Sequence, residues 1–264
     1  MYQYKYPHPA VTTDAVVFGF DGKALHILLI ERGLEPYKGS WALPGGFMKI
    51  DETVEECVAR ELKEETGVEN VYLEQFHVFS EVGRDPRERV VTVAFVALVR
   101  KSDYRLLAGD DAARASWFEL DELPPIAFDH HEIITMARSH LQTLLRNRPI
   151  AFKLLDEQFA MTELQRLYEA INDTSYDRRN FYKKMTSTGF LRDVTHCESH
   201  DEMAPESAVG EDSADMAFCI AAPPEKASPG RPKMLYTFDE EAFEKAVEEE
   251  EKKGERKGRN PFSI

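Results

Sequence analysis

The sequence contains few cysteines and no long apolar run. Its cysteines are an odd number at spacings that match no zinc-binding module: Cys57, Cys197 and Cys219. We therefore expect no zinc module and a protein of the reducing cytoplasm. The longest apolar stretches, such as residues 90–99, are too short and too interrupted to span a bilayer. The first ten residues, MYQYKYPHPA, lack the apolar segment of a secretion signal.

Positive charge is also scarce. The chain has 33 Lys and Arg against 48 Asp and Glu, a formal net charge of −15 at pH 7. This balance argues against a protein that is basic over its whole surface, but it leaves room for a local basic patch. A length of 264 residues predicts one large domain or two smaller ones.

One stretch stands out from the rest, residues 45–68, which read GGFMKIDETVEECVARELKEETGV. Its composition predicts a helix over residues 53–66, and Thr53 with Glu56 has the spacing of a capping box. Apolar residues recur every four positions along it, as expected for a stripe that faces a core: Val54, Val58 and Leu62.

Acidic side chains crowd one face of this predicted helix. Glu61, Glu64 and Glu65 lie at i, i+3 and i+4, where like charges repel unless a cation lies between them. Hard oxygen ligands suit Mg²⁺ or Mn²⁺. The alternative is a solvated acidic face, as most glutamate runs are. The flanking glycines, together with Glu52 and Arg60, favour the metal site.

The same stretch resembles the Nudix box at every specified position, from Gly46 and Glu52 through Arg60 and Glu61 to Val68. The resemblance to Nudix hydrolases implies an α/β fold, an α/β/α sandwich with a mixed sheet. It implies Mg²⁺- or Mn²⁺-dependent cleavage of the diphosphate in a nucleoside diphosphate derivative, with ADP-ribose as the first expectation.

The resemblance also assigns roles to residues of the box. Glu61, Glu65 and the backbone of Gly45 are expected to hold the metal. Glu64 is expected to be either a further ligand or the base that acts on water. Arg60 is expected to orient the glutamates, and Glu52 to support Arg60. Gly46 has no Cβ and would let the backbone approach a phosphate.

Strand-like segments flank the box, with an Asp-Gly turn between the first two. They are residues 11–20, 25–30, 71–79 and 90–99, and residues 115–120 are expected to close the domain. Residues 80–90 form a charged loop whose arginines, Arg84, Arg87 and Arg89, suit diphosphate recognition. A solvated surface loop explains them equally well. An amphipathic helix is predicted over residues 133–145, and His130 with His131 is expected only to begin it.

The last third of the sequence predicts a helix-turn-helix. One helix is expected to begin at Thr162, with Gln165 completing a capping box, and a second at Asp177, ending on Gly189. The second helix and the expected wing carry basic candidates for DNA contact: Arg178, Arg179, Lys183, Lys184, Arg231 and Lys233. Residues 190–195 and 230–238 read as the wing strands. An all-helical accessory domain with a solvated basic face is the alternative.

A Nudix domain followed by such a module resembles the Nudix-related transcriptional regulators of NAD metabolism. We therefore expect a Nudix domain over residues 1–149, a small winged helix-turn-helix domain over 150–245, and a charged tail over 246–264. A polar, acidic segment at 197–229 is expected to be a disordered insertion. The two hypotheses are a pyrophosphohydrolase and an ADP-ribose-sensing regulator that binds operator DNA as a homodimer, and they are not exclusive.

Overall fold

A computed structural model describes residues 5–104, 114–194, 234–252 and 261–262. Its strands are β1 (Ala10–Phe20), β2 (Leu25–Glu31), β3 (Trp41–Ala42), β4 (Gly45–Phe47), β5 (Tyr72–Phe79), β6 (Val90–Arg100), β7 (Arg114–Glu119), β8 (Phe159–Ala160), β9 (Leu191–Asp193) and β10 (Leu235–Phe238). Its α-helices are α1 (Val54–Thr66), α2 (His130–Asn147), α3 (Met161–Asn172), α4 (Arg178–Thr186) and α5 (Glu240–Lys252). The predicted insertion 197–229, Arg231 and Lys233 lie outside the described residues.

The larger sheet is built around β1 and β6, which run parallel over their full length. β2 and β5 pair antiparallel on the outer sides of these two strands, so the sheet is mixed. Successive side chains point to opposite faces of a strand. In β1, Val16 and Phe18 accordingly enter one core, while Ala15 and Val17 enter the other.

One helix covers each face of this sheet. Val58 and Leu62 of α1 are buried in the core on one side. Ile133 and Leu141 of α2 are buried on the other. The apolar stripes in the two helices therefore lead to an α/β/α sandwich, and the predicted fold class is confirmed.

The second half of the chain forms the predicted winged helix. Helices α3 and α4 follow each other closely, and the small sheet has the strand order β8-β10-β9. Leu164, Leu167, Tyr168 and Ile171 form a buried apolar stripe on α3, and Phe181 and Met185 of α4 are buried as well. Strands β9 and β10 pair antiparallel as the two sides of a wing. Strand β8, which the sequence analysis did not predict, completes this sheet.

Two helix ends differ from the prediction. Helix α3 begins two residues earlier than expected, with Ala160 as its N-cap: the Glu163 carboxylate accepts from the backbone N–H of Ala160 at 2.8 Å, but alanine has no side-chain acceptor to complete a capping box. Gln165 instead donates to Glu169 and to the carbonyl of Tyr176. Helix α4 begins after Asp177 as predicted but ends at Thr186. Gly189, with φ of 79°, therefore lies in the turn beyond the helix.

The two halves of the chain share one apolar core. Residues of α2, of α3 and of the small sheet belong to the same cluster of buried side chains. Polar contacts reinforce the junction: Gln142 of α2 donates to the carbonyl of Ile171 at 2.9 Å, and Arg166 donates to the carbonyl of Gly22 at 3.3 Å. The predicted domain boundaries stay predictions, and α5 runs across the one placed after residue 245.

An aromatic cluster closes the winged-helix side of the core. Phe262 is fully buried there, against the rings of Phe152, Phe238, Phe243 and Phe190. The sequence predicts only a charged tail over residues 246–264, so this contact is an addition to the prediction. None of the described helices has the length and apolar character needed to cross a membrane.

We expect Phe262→Ala to lower the free energy of unfolding by about 3 kcal/mol, because a buried ring would be replaced by a cavity. Val247→Ala on α5 is the control, since Val247 is 40% exposed and its truncation should change stability by no more than about 0.5 kcal/mol. Urea denaturation followed by circular dichroism measures both. Equal midpoints for Phe262→Ala and wild type would contradict the packing described.

Candidate functional site

Helix α1 is anchored at both ends, which fixes the orientation of its glutamates. The Thr53 hydroxyl accepts from the backbone N–H of Glu56, and the Glu56 carboxylate accepts from the backbone N–H of Thr53. This is the predicted capping box. At the other end Gly67 adopts φ of 74°, and its N–H donates to the carbonyl of Lys63. The helix therefore ends as a left-handed glycine cap.

Arg60 gathers three carboxylates on the outer side of α1. Its guanidinium donates to both oxygens of Glu52, at 2.6 and 2.9 Å, to Glu61 at 2.7 Å and to Glu64 at 3.2 Å. The predicted contact between Glu52 and Arg60 is therefore present. Hydrogen bonds from Arg60 lower the pKa of Glu52 to about 2, so Glu52 is ionised at neutral pH.

Glu65 lies in a different environment from its neighbours on α1. It accepts a hydrogen bond from the backbone N–H of Gly45 at 2.9 Å. Its pKa is raised to about 8, chiefly by burial and also by the nearby charges of Glu61 and Asp14, against the lowering effect of the Gly45 hydrogen bond. The ionised form of Glu65 is thus only weakly stabilised by hydrogen bonds and positive charges of the protein.

The two glycines of β4 allow this close approach. A Cβ on Gly45 would overlap the carbonyl oxygen of Thr13 on the neighbouring strand, and a Cβ on Gly46 would overlap the carboxylate of Glu61. Position 45 therefore requires glycine for packing alone, whereas a side chain at position 46 would require the Glu61 carboxylate to move aside. Strand β4 pairs with β1, so that Gly45 lies opposite Asp14 in the register. This pairing brings the backbone of β4 between β1 and α1.

The predicted metal ligands are close together but are not arranged as a finished site. No group of three or more His, Cys, Asp or Glu side chains within the described ranges has the geometry to hold a metal ion. The Glu61 carboxylate is turned towards Arg60. The donor set nevertheless suits a hard cation, since Glu61, Glu65 and Asp14 offer oxygen atoms and oppose one another electrostatically.

A buried polar network lies behind β4, and the sequence analysis missed it. Asp14 accepts from the Thr92 hydroxyl at 2.7 Å, and its other oxygen lies 3.6 Å from Nε2 of His130. Nδ1 of His130 accepts from the backbone N–H of Leu43 at 2.9 Å. Burial lowers the pKa of His130, which favours the neutral ring that this hydrogen bond requires. His130 therefore begins α2 as predicted and also holds the segment leading into β4.

The three arginines of the charged loop occupy different environments. Arg84 is 5% exposed and makes a bidentate ion pair with Asp129, at 2.7 and 2.8 Å. Arg89 donates to backbone carbonyl oxygens, including that of Ser80 at 2.8 Å. Arg87 is 39% exposed and pairs with the buried Asp85. Only Arg87 of the three combines exposure with proximity to an aromatic surface, since it lies over the ring of Phe47.

A second candidate site lies on the winged helix. Asp177 caps α4 by accepting from the backbone N–H of Asn180. The predicted basic residues of this helix are all exposed: Arg178, Arg179, Lys183 and Lys184. The opposite side of the helix is held in place by Phe181 and Met185 in the core, and by a hydrogen bond between the hydroxyls of Tyr182 and Tyr236. Burial of one face thus presents the basic face to solvent.

Two family models match different parts of the chain. Residues 8–137 match the NUDIX domain, and residues 151–205 match the NrtR DNA-binding winged helix domain. Among solved structures, Shewanella oneidensis NrtR in complex with a 27mer DNA is similar with a TM-score of 0.64 and 27% identity, covering 86% of this chain and 93% of that one. A MutT/nudix family protein from Enterococcus faecalis is similar with a TM-score of 0.65 and 28% identity, covering 90% and 89%.

Two curated relatives extend the comparison. The ADPR responsive transcriptional repressor NtrR of Acinetobacter baylyi is 34% identical, over 72% of this chain and 77% of its own length. An ADP-ribose pyrophosphatase of Methanocaldococcus jannaschii is 46% identical, over 49% of this chain and 73% of its own length. The chain therefore belongs to the Nudix family, in the group that joins a Nudix domain to an NrtR winged-helix DNA-binding domain.

Proposed function

We propose that the protein is a divalent-metal-dependent Nudix hydrolase that cleaves the diphosphate of a nucleoside diphosphate sugar, with ADP-ribose as the substrate. One observation carries this proposal. The Glu65 carboxylate is held by the N–H of Gly45 beside Glu61 and Asp14, and its pKa is raised to about 8, so its ionisation there is unfavourable until a cation binds. The 46% identity to an ADP-ribose pyrophosphatase supports the choice of substrate.

Mg²⁺ or Mn²⁺ would be held by Glu61, Glu65 and the backbone of Gly45. When bound, the metal would neutralise diphosphate charge and lower the pKa of a bound water. Glu61 would exchange its ion pair with Arg60 for the metal. Arg60 would remain fixed by the two hydrogen bonds to Glu52, and so would keep α1 from rearranging as the site fills.

The reaction is a hydrolysis at phosphorus. Glu64, whose side chain is 57% exposed, would accept a proton from the attacking water. The water oxygen would bond to one phosphorus as the bridging P–O bond breaks, and the leaving phosphate would take the electron pair. ADP-ribose would yield AMP and ribose 5-phosphate. Gly46 would leave room for a phosphate beside β4, and Arg87 would pair with its charge.

We expect Glu65→Gln to abolish both the response to metal and turnover. Mg²⁺ at about 100 times its Kd should stabilise wild type by about 2.7 kcal/mol and raise Tm by several degrees. Glu65→Gln should show little of this rise and lose at least about 100-fold in AMP release, because even residues that only support metal ligands cost 10–100-fold. Thermal denaturation and chromatography of the products measure the two effects.

Glu55→Gln is the matched control, since it is the same chemical change at an exposed position in the first turn of α1. It should respond to Mg²⁺ and turn over ADP-ribose as wild type does. If wild type binds ADP-ribose but hydrolyses neither it nor any other nucleotide sugar or dinucleotide, the hydrolase proposal is wrong and the Nudix domain is a sensor.

The second candidate function is an ADP-ribose-sensing transcriptional regulator of NAD or sugar metabolism. The specific observation in its favour is the exposed basic face of α4, in a domain that matches the NrtR DNA-binding winged helix. The similar NtrR of Acinetobacter baylyi is an ADPR responsive transcriptional repressor. We propose that the chain binds DNA through Arg178, Arg179, Lys183 and Lys184, as a homodimer that reads two half-sites.

We expect the double variant Arg178→Ala, Arg179→Ala to bind DNA more weakly and with less salt dependence. Each lost phosphate contact should reduce the slope of log K against log salt by about 0.9, so the slope should fall by about 2. The measurement is fluorescence anisotropy with a duplex from upstream of the chain's own gene, at several salt concentrations.

The control is Lys23→Ala with Arg146→Ala, which removes the same number of charges from exposed positions outside the winged helix. The control should keep the wild-type slope. Equal slopes for all three proteins would mean that α4 does not contact DNA. Light scattering on the same samples tests the homodimer, and a monomer at micromolar concentration would count against half-site reading.

A further inference from the structure

We propose that Arg32 and Arg87, held over the ring of Phe128, form a clamp for the two phosphates of the nucleotide ligand. The inference rests on the proposed function and deepens it. It assigns diphosphate recognition to Arg32, which lies on the segment between β2 and β3. It also separates Arg87 from the neighbouring arginines of the charged loop.

The two guanidinium groups share one aromatic ring. The Cζ atom of Arg32 lies 4.7 Å from the ring centroid of Phe128, and the Cζ atom of Arg87 lies 5.7 Å from the same centroid. Both distances are within the range of a cation–π contact. The ring therefore lies beside two positive charges. These charges repel each other, since burial and then the charge of Arg87 lower the pKa of Arg32.

Arg32 lacks a carboxylate partner at this position. Its guanidinium donates to two neutral carbonyl oxygens, those of Pro36 at 2.8 Å and Leu34 at 3.4 Å. Within the part of the chain that the structure describes, no salt bridge involves Arg32. Asp85 is the only anion paired with Arg87 in the described residues, and a further anion beside Arg32 would relieve the repulsion between the two arginines. A diphosphate supplies two anionic phosphate groups.

Arg87 is held from the opposite side. Asp85 is buried, which alone would raise its pKa, but hydrogen bonds from Arg87 outweigh this effect and lower it. The guanidinium of Arg87 donates to both oxygens of Asp85, at 2.6 and 3.0 Å. One edge of the guanidinium is thus fixed on Asp85 while the side chain stays 39% exposed. Arg87 is therefore oriented in advance of binding.

The other arginines near the site are already satisfied. Arg84, like Arg87, makes a bidentate carboxylate pair, but it is only 5% exposed against 39%, so a phosphate could reach it only by replacing Asp129. Arg89 donates to the backbone carbonyls of Ser80, Glu81 and Val90 and so braces its own loop. Recruiting either residue would break contacts that stabilise the protein, whereas Arg32 has no salt bridge to a described residue that would have to break.

The clamp lies next to the acidic site. Arg87 also lies 5.0 Å from the ring centroid of Phe47, which directly follows Gly46 in β4. The charge of Arg32 acts on Glu65, whose pKa it lowers against the larger effect of burial. A diphosphate bound between the arginines would therefore border the carboxylates that are proposed to hold the metal.

The aromatic residues next to the clamp, Phe128 and Tyr37, have an unusual backbone conformation. Phe128 has φ of 56°, and Tyr37, whose ring lies edge-to-face against it at 4.9 Å, has φ of 64°. Bulky residues rarely adopt this left-handed conformation, and such strain is found mainly at functional sites. In this protein the ring of Phe128 lies beside the two arginines, and the ring of Tyr37 lies against Phe128.

The test compares a ligand with two phosphates to one with a single phosphate. Calorimetric titrations with ADP-ribose and with AMP, in EDTA to prevent turnover, would use wild type, Arg32→Gln and Arg87→Lys. Lysine keeps a positive charge beside Asp85 but lacks the planar fork. Each variant should lose about tenfold or more in ADP-ribose affinity, as expected for a charged hydrogen bond. AMP affinity should fall by less than about threefold.

Arg146→Gln is the control, an exposed arginine of α2 far along the helix from the site, and it should bind both ligands as wild type does. Thermal denaturation should give Tm values within about 3 °C of wild type for all variants. The KM for ADP-ribose with Mg²⁺ should rise in parallel with the calorimetric Kd, which a purely structural role would not produce.

The outcomes separate the clamp from the proposed function. If wild type binds ADP-ribose in neither EDTA nor Mg²⁺, the proposed function is wrong and the clamp with it. If wild type binds ADP-ribose and the folded variants bind it within twofold of wild type, the clamp alone is wrong. An equal loss of AMP and ADP-ribose affinity would also overturn the clamp, because the arginines would then recognise a single phosphate.

Discussion

The concentration of negative charge around α1 is the constraint on which the site depends. Arg60 compensates the carboxylates on the outer side of the helix but does not reach Glu65. Glu65 is held instead by the N–H of Gly45, beside Asp14 on the central strand. Three features bring these carboxylates together: the glycines of β4, the register of β4 on β1 and the capping of α1. Such an arrangement is unfavourable in isolation and becomes favourable when a cation binds.

Local patterns in the sequence were sufficient to predict much of this architecture. Thr53 and Glu56 cap α1, and its apolar stripe faces the core, because both features depend on residues a few positions apart. The contacts of His130 with Leu43 and of Arg32 with Phe128 join residues 87 and 96 positions apart, and a single sequence carries no signal for them. The sequence does contain one indication of the buried network, namely Asp14, a charged residue within the buried strand β1.

The start of α3 shows why helix ends were predicted less well. Thr162 and Gln165 have the spacing of a capping box, but Glu163 reaches back to Ala160 and fixes an earlier start. Strand β8 ends at Ala160 and pairs with β10, so the sheet selects the earlier of the two possible helix starts.

Tertiary contacts also join the two halves of the chain, since α2 begins beside the acidic site with His130 and packs against α3 through Gln142. A ligand would change DNA affinity through α2 only if it bound two arrangements of that helix with different affinity.

We propose above that the carboxylates around α1 form a divalent-cation site. Anomalous diffraction from crystals grown with Mn²⁺ can locate the metal without reference to activity. We expect an anomalous peak bonded to Glu61 and Glu65 next to Gly45, with Glu61 turned away from Arg60. A fully occupied peak elsewhere, or none at this position while Glu61 remains paired with Arg60, would show that the carboxylates do not form this site.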